Sequence, residues 1–204
     1  MSAPPALPNE QQRLRALQAL QLHEGHSDPV LDGLVRTAAQ ALGCTAAAIS
    51  FVDAGRRWFK AALGFTRLEV PRELSICAHT LAHGGLLEIA DVLADARFAG
   101  NPAVLASSTV RFYAGMPIGL DGLALGTLCV VDSAPRELNA AQRAVLADLA
   151  LVAEHWLRSR REHLALLERE REYRLLAEQM PAIVYRVALG RTPVLAYVSP
   201  ALKA

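Results

Sequence analysis

Aromatic side chains are scarce in this 204-residue sequence, at 5%, and cysteine is scarcer still, with three. Cys44, Cys77 and Cys129 cannot all pair with one another. So sparse a set excludes a disulfide-stapled secreted scaffold and suits a reducing, cytoplasmic setting. Charge of one sign is missing too. Twenty-one basic against twenty acidic residues leave a net charge of +1, no field to recruit nucleic acid or an anionic membrane surface. Long hydrophobic runs are lacking. Ala38–Ile49 is interrupted by Gln40, Gly43, Cys44 and Thr45, well short of the ~20 apolar residues a membrane span needs. The opening MSAPPALPNE has neither a basic start nor an apolar stretch, so no signal peptide is expected. No G-x-S-x-G, H-E-x-x-H, P-loop or G-x-G-x-x-G pattern occurs, and no catalytic residue is expected.

What is present is 52% hydrophobic residues, enough in a chain this long to bury a sizeable core. Residues 1–8 hold three prolines and read as a flexible lead-in. Asn9, with Gln12 three residues on, has the spacing of a capping box ahead of an amphipathic helix over about 10–23. A His-, Gly- and Ser-rich turn at 23–27 follows. Asp28-Pro29 then opens a second helix, and Gly43 ends it. From Cys44 the pattern changes to an apolar, partly β-branched run, followed after a turn by a weakly alternating one. Cys44–Val52 and Arg57–Leu63 flank an Asp53-Ala54-Gly55 turn as a hairpin. Residues 64–74 read as a loop, 75–83 as a short helix capped by Ser75, and Leu86–Ala90 as a strand. Residues 91–110 hold turn chemistry (Asp95, Gly100, Asn101-Pro102) and one helical turn. Phe112–Leu120 and Leu123–Val131, joined by Asp121-Gly122, form a second hairpin. Hairpin-linked strands between terminal helices predict an α+β fold with an antiparallel sheet.

From Asn139 a helical stripe (Val145, Leu146, Leu149, Val152, Trp156) runs on into SRREHLALLEREREYRLLAEQ. Between Glu154 and Glu178 six arginines balance six glutamates, so this stretch reads as a solvated or pairing helix and not as a nucleic-acid contact. His163, Glu170 and the arginines interrupt an ideal heptad. No break occurs before Met180-Pro181, which implies a helix of about 40 residues, or ~60 Å. Two short strands, Ile183–Ala188 and Val194–Val198 around a Gly190-Arg191 turn, close the chain.

In this order, NEQQRLRAL, ISFVDAGRRWFKAALG, SICAHT, LEIADVLADARFAGNP, VRFYAGMPI and LGTLCVVDSAPREL resemble a GAF domain of the bacterial signal-transduction subgroup. YRLLAEQMPAIVYRVALGRTPVLAYVSPALKA resembles the start of a PAS domain. The resemblance implies a GAF sensory domain over 9–160, a signalling helix over 161–180 and an N-terminal PAS fragment over 181–204. It further implies a ligand-binding sensor without catalysis of its own, a homodimer through the terminal helices, and relay to a histidine kinase or a cyclic-di-GMP enzyme. No nucleic-acid partner and no membrane span within the chain are expected.

A GAF pocket lies between the sheet and the loops over one face, here about 64–85 and 91–111. By position the candidate ligand residues are Trp58, Phe59, Cys77, His79, Asp91, Arg111, Phe112, Tyr113 and Met116. In an aromatic-poor chain the same aromatics also serve as core. The ligand or cofactor is left unassigned. His79 and His83, four apart on a helix, would share a face with Cys77 nearby, a partial metal set without a second ligand pair. Photoreceptor relatives attach bilin at Cys followed directly by His, whereas Ala78 intervenes here. The Asn-Lys-Phe-Asp-Glu signature of cyclic-nucleotide binders is not traceable. Arg111 is placed to clamp an anion or to rest on Asp91 or Asp95. Two readings remain beside the sensor: a dimerisation scaffold without ligand, and a GAF-fold reductase of free methionine sulfoxide using Cys77.

Overall fold

The apolar run Ala46–Val52 and the mixed stretch Arg56–Leu63 fold as an antiparallel hairpin, strands β1 (Ala46–Val52) and β2 (Arg56–Leu63). Asp53 shapes its turn, accepting from the Gly55 and Arg56 amides at 2.9 and 2.8 Å, an Asx turn. The computed structural model describes residues 4–22, 28–65, 69–106, 110–179, 185–188 and 194–198. It comprises two units, Met1–Ser159 and Arg160–Ala204.

In the first unit four more strands join the hairpin. They are β3 (Glu69–Pro71), β4 (Leu87–Ile89), β5 (Phe112–Leu120) and β6 (Leu123–Asp132), in the sheet order β3-β2-β1-β6-β5-β4. Every pairing is antiparallel, so the α+β expectation holds. Asp121 (φ 52°) and Gly122 (φ 78°) form the β5–β6 turn. Two successive positive φ values are what a type I′ hairpin requires. Residues 64–74, expected as loop, instead carry β3 and a 3-10 turn at Arg72–Leu74. Pro71 is tolerated because β3 is an edge strand.

Helices α1 (Glu10–Ala19), α2 (Pro29–Leu42) and the start of α5 (Ala140–Gln179) cover one face of the sheet. On α5 the buried positions are Leu146, Ala150, Ala153 and Leu157, an i, i+4, i+7 stripe. They meet Leu31, Leu42, Ile49, Phe51, Phe112 and Leu128 in one core. Each fully buried leucine contributes roughly 1.5–3 kcal/mol. The helix ends are tied off by side chains. Asp28 caps α2, accepting from the Val30 and Leu31 amides, and its other oxygen accepts from Trp156 Nε1 of α5 at 3.2 Å. At the far end Arg136 donates to the Leu42 and Gly43 carbonyls at 2.8 and 2.7 Å, satisfying orphan acceptors where a cation is favoured. Asn139 and Gln142 form a reciprocal capping box for α5.

Asn9 does not cap α1 through its side chain. It sits at φ 55° with no such bond, and α1 is instead held by Arg13. This residue is 1% exposed. It donates to the Val52 carbonyl at 2.6 Å and to both Glu10 oxygens at 2.9 Å.

The other face is covered by α3 (Ile76–His83), α4 (Pro102–Leu105) and their loops. Ser75 caps α3 as expected, accepting from the Ala78 amide at 3.3 Å.

The second unit holds the remainder of α5 and an antiparallel hairpin, β7 (Tyr185–Ala188) with β8 (Val194–Val198). The turn at 23–27, the stop at Met180-Pro181 and the Gly190-Arg191 turn lie outside the described residues.

Candidate functional site

Strand period decides which side chains reach the loop-covered face. Successive residues point to opposite sides of a sheet. On β2 this sends Arg57 and Phe59 toward the loops and Trp58 toward the helices, where it packs on Phe51 with ring centroids 5.3 Å apart. On β5 it sends Tyr113 to the loop side and Phe112 and Met116 to the helix side. On β6, Cys129 and Val131 face the loops and Leu128 and Val130 the helices.

The loop face carries a partly open cavity of about 230 Å³. Its floor is Phe59, Tyr113, Cys129 and Val131 from the sheet, and its walls include Val70 of β3, Ile76 and Cys77 of α3, and Val104 of α4. Asn101 holds two wall segments together. Its Oδ1 accepts from the Ala103 amide and its Nδ2 donates to the Leu74 carbonyl, both at 2.9 Å. Tyr113 is pinned by a 2.7 Å hydrogen bond to Thr80 Oγ1, and burial pushes its phenol well above the usual range.

The nine expected residues therefore do not converge. Phe59, Cys77 and Tyr113 line this cavity together. Trp58, Phe112 and Met116 belong to the helix-side core, because strand neighbours cannot both face one pocket. His79 stands two residues from Cys77 on α3, a spacing that does not share a helix face. It packs edge-to-face on Phe98, centroids 4.8 Å apart. Asp91 and Arg111 form a bidentate pair at the start of β5, with Arg111 Nε to Asp91 Oδ1 at 3.0 Å and Nη2 to Oδ2 at 2.7 Å. Hydrogen bonding by Arg111 holds the Asp91 carboxyl below its usual range. This is the resting pair anticipated for Arg111. His83 is exposed while His79 is buried. No group of three or more His, Cys, Asp or Glu side chains is placed to hold a metal among the described residues.

Two residues with chemistry were not singled out in the sequence. The first is Arg57, 9% exposed and set over the Phe59 ring at 3.9 Å. Among the described residues its Nε and Nη1 have no hydrogen-bond partner. Its signal lay in Arg56-Arg57 before an aromatic in a half-buried strand. Period two must turn one arginine inward, and Arg56 takes the outward place, paired with Asp53 and Glu69. The second is Cys129, which lines the cavity together with Cys77. In this pair the Cys77 thiol is driven well below its ordinary range, first by the neighbouring Cys129 thiol and then by the Arg57 charge and the Ser50 and Thr127 hydroxyls, against the cost of burial. Cys129 is pushed up as the proton donor of the pair, with burial acting in the same direction. Cys44 lies apart, at the end of α2. Burial raises its thiol to about 11, the range of an unreactive thiol.

The chain is 36% identical over 164 residues to a cyclic di-GMP phosphodiesterase of Pseudomonas aeruginosa, a match covering 78% of this chain and 28% of that protein. The chain thus spans less than a third of that curated relative. Among solved structures it is similar to the GAF domain of a phosphoenolpyruvate-protein phosphotransferase from Acinetobacter, with 19% identity over 78% of this chain and 97% of that one, TM-score 0.55. It is similar also to a free methionine-R-sulfoxide reductase from Neisseria meningitidis, with 19% identity over 80% of this chain and 98% of that one, TM-score 0.56. At such identities the likeness bears on the fold. The family model for the GAF domain matches residues 26–155. The chain belongs to the GAF domain family.

Proposed function

We propose that this chain is the sensory module of a longer bacterial signal-transduction protein, binding a small molecule and relaying its presence to a downstream output domain. The carrying observation is the cavity of about 230 Å³ on the loop face of the sheet, apolar in most of its lining and holding a buried guanidinium. Cavities of this build suit ligands and not core packing. Small volume disfavours an enclosed bilin or dinucleotide.

Relay follows from the two-sided strands. Strands β2, β5 and β6 each present one side chain to the cavity and the next to the core under α1, α2 and α5. A ligand that binds two strand arrangements unequally then biases the helices. In the native protein we place the terminal helices in a homodimer. The exposed Leu151 and Val152 of α5 support this surface. A signalling helix over 161–180 would lead to a PAS domain beginning at 181–204, with the output a histidine kinase or a cyclic-di-GMP enzyme. Similarity to the Pseudomonas phosphodiesterase favours the latter. No helix among the described residues is long and apolar enough to cross a membrane, and the reading places the module in the cytoplasm.

Native mass spectrometry of freshly purified protein tests this. A dimer carrying a small-molecule adduct supports the reading. A ligand-free species that responds to no metabolite in thermal-shift screening leaves only the dimerisation scaffold. A second reading, reduction of free methionine sulfoxide, is favoured by the two cysteines, Cys77 and Cys129, that line the same cavity. Turnover with a dithiol reductant that disappears in Cys77→Ser would establish it, and its absence in the native chain removes it.

A further inference from the structure

We infer that the loop-face cavity takes a small organic carboxylate, its anionic head on the Arg57 guanidinium and its apolar body against Phe59, Val70, Val104 and Val131. This rests on the sensory reading of the same cavity and names the chemical class of its ligand.

Three observations carry it. Arg57 is nine-tenths buried, lines the cavity, and leaves Nε and Nη1 without a hydrogen-bond partner among the described residues. A buried guanidinium without a carboxylate is costly, and chains keep such a group only where something else meets it. No Asp or Glu is among the described residues that line the cavity. The cation stacked on Phe59 at 3.9 Å offsets part of that cost, yet stacking leaves the N–H groups of Nε and Nη1 without an acceptor among the described residues. Second, Ser75, Ile76 and Cys77, at the N-terminal end of α3, form part of the same wall. Peptide dipoles there favour negative charge. Third, the remaining lining is mainly apolar. An inorganic anion would leave that surface facing water, whereas a carboxylate with a short hydrocarbon or aromatic body satisfies both halves. A planar carboxylate also matches the fork of a guanidinium. About 230 Å³ sits below the range that encloses drug-sized molecules, which sets the ligand near the size of benzoate or hexanoate.

The test is calorimetric titration of the full chain with benzoate and hexanoate, with benzamide and hexanamide as neutral isosteres, and with inorganic phosphate. Both acids are expected to bind saturably, and the amides about tenfold or more weakly, the loss of a charge-assisted pair. Arg57→Gln is expected to lose the acid preference and Arg57→Lys to retain part of it. Amides binding as tightly as acids overturn the inference while leaving a ligand pocket in place. Tight phosphate binding overturns the organic class. No saturable binding by either acid overturns the inference outright, and the sensory reading then stands or falls on the adduct carried in native mass spectrometry. Wild-type acid and amide data need no variant, so a misfolded Arg57→Gln does not obscure the outcome.

Discussion

Arg72 donates to Glu10 at 2.6 Å across 62 residues of sequence. The same Glu10 carboxylate holds Arg13, whose Nη1 reaches the Val52 carbonyl. One carboxylate thus joins α1 to the turn after β3, and Arg13 extends the link to β1. Local cues at Asn9 suggested a side-chain cap, but long-range charge pairing took its place.

Glu10→Gln is expected to cost about 3 kcal/mol, because it strands a fully buried Arg13. Hydrogen bonds from Arg13 lower the Glu10 carboxyl from 4.5 to about 2. The folded value is depressed, so the stabilisation is complete above the unfolded value of about 4.5 and is lost as pH falls through the window toward 2. Urea unfolding at a series of pH values should show native chain and variant converging across that window. A gap independent of pH would contradict the carboxylate's role.

Cys77 is expected to react with iodoacetamide at lower pH than Cys44, since Cys129 and Arg57 favour its thiolate while burial raises the Cys44 thiol. Cys129→Ala removes the largest cause and should move the Cys77 labelling profile to higher pH. Labelling followed by peptide mass spectrometry reads each site. An unmoved profile in Cys129→Ala would show that the pair is not coupled.

Asn101→Ala breaks the link between the α4 start and the Leu74 carbonyl. The expected loss is about 1–2 kcal/mol, the size of a lost cap with a buried acceptor left unmet. Amide hydrogen exchange should quicken in 69–76 and 101–106 before the sheet is affected. Uniform exchange changes would argue against a local clasp.

Gly115 on β5 leaves room for the Tyr113 phenol, and a methyl there would collide with the hydroxyl oxygen and the ring. Gly115→Ala is expected to push Tyr113 off Thr80, to cost roughly 1–3 kcal/mol by overpacking, and to reshape the cavity floor. Tyrosine fluorescence and ligand affinity should both change. Unaltered affinity in a destabilised variant would mean that Tyr113 is only structural.

Much of the architecture is legible in the sequence. The Asp28-Pro29 start, the Gly43 stop, the Ser75 cap and the Asp121-Gly122 turn all fall where their residue chemistry places them. The cavity was legible in part: Phe59, Cys77 and Tyr113 were named, together with Trp58 and Phe112, which face away. Sequence proximity had grouped pairs that a pleated strand must separate.

From sequence alone came the element order, the α+β class, the GAF resemblance and the charge-balanced helix, because these depend on local periodicity, capping and composition. Only the tertiary structure decided which residues share the cavity. Strand register, including the slip between Ile49 and Ser50, sets the facing of β2. It puts Arg57 under the loops with no carboxylate opposite among the described residues, and Arg56 outside with two. Two adjacent arginines are alike in a sequence. Burial on one face of a sheet makes one of them an ordinary surface ion pair and the other the candidate anchor of a ligand.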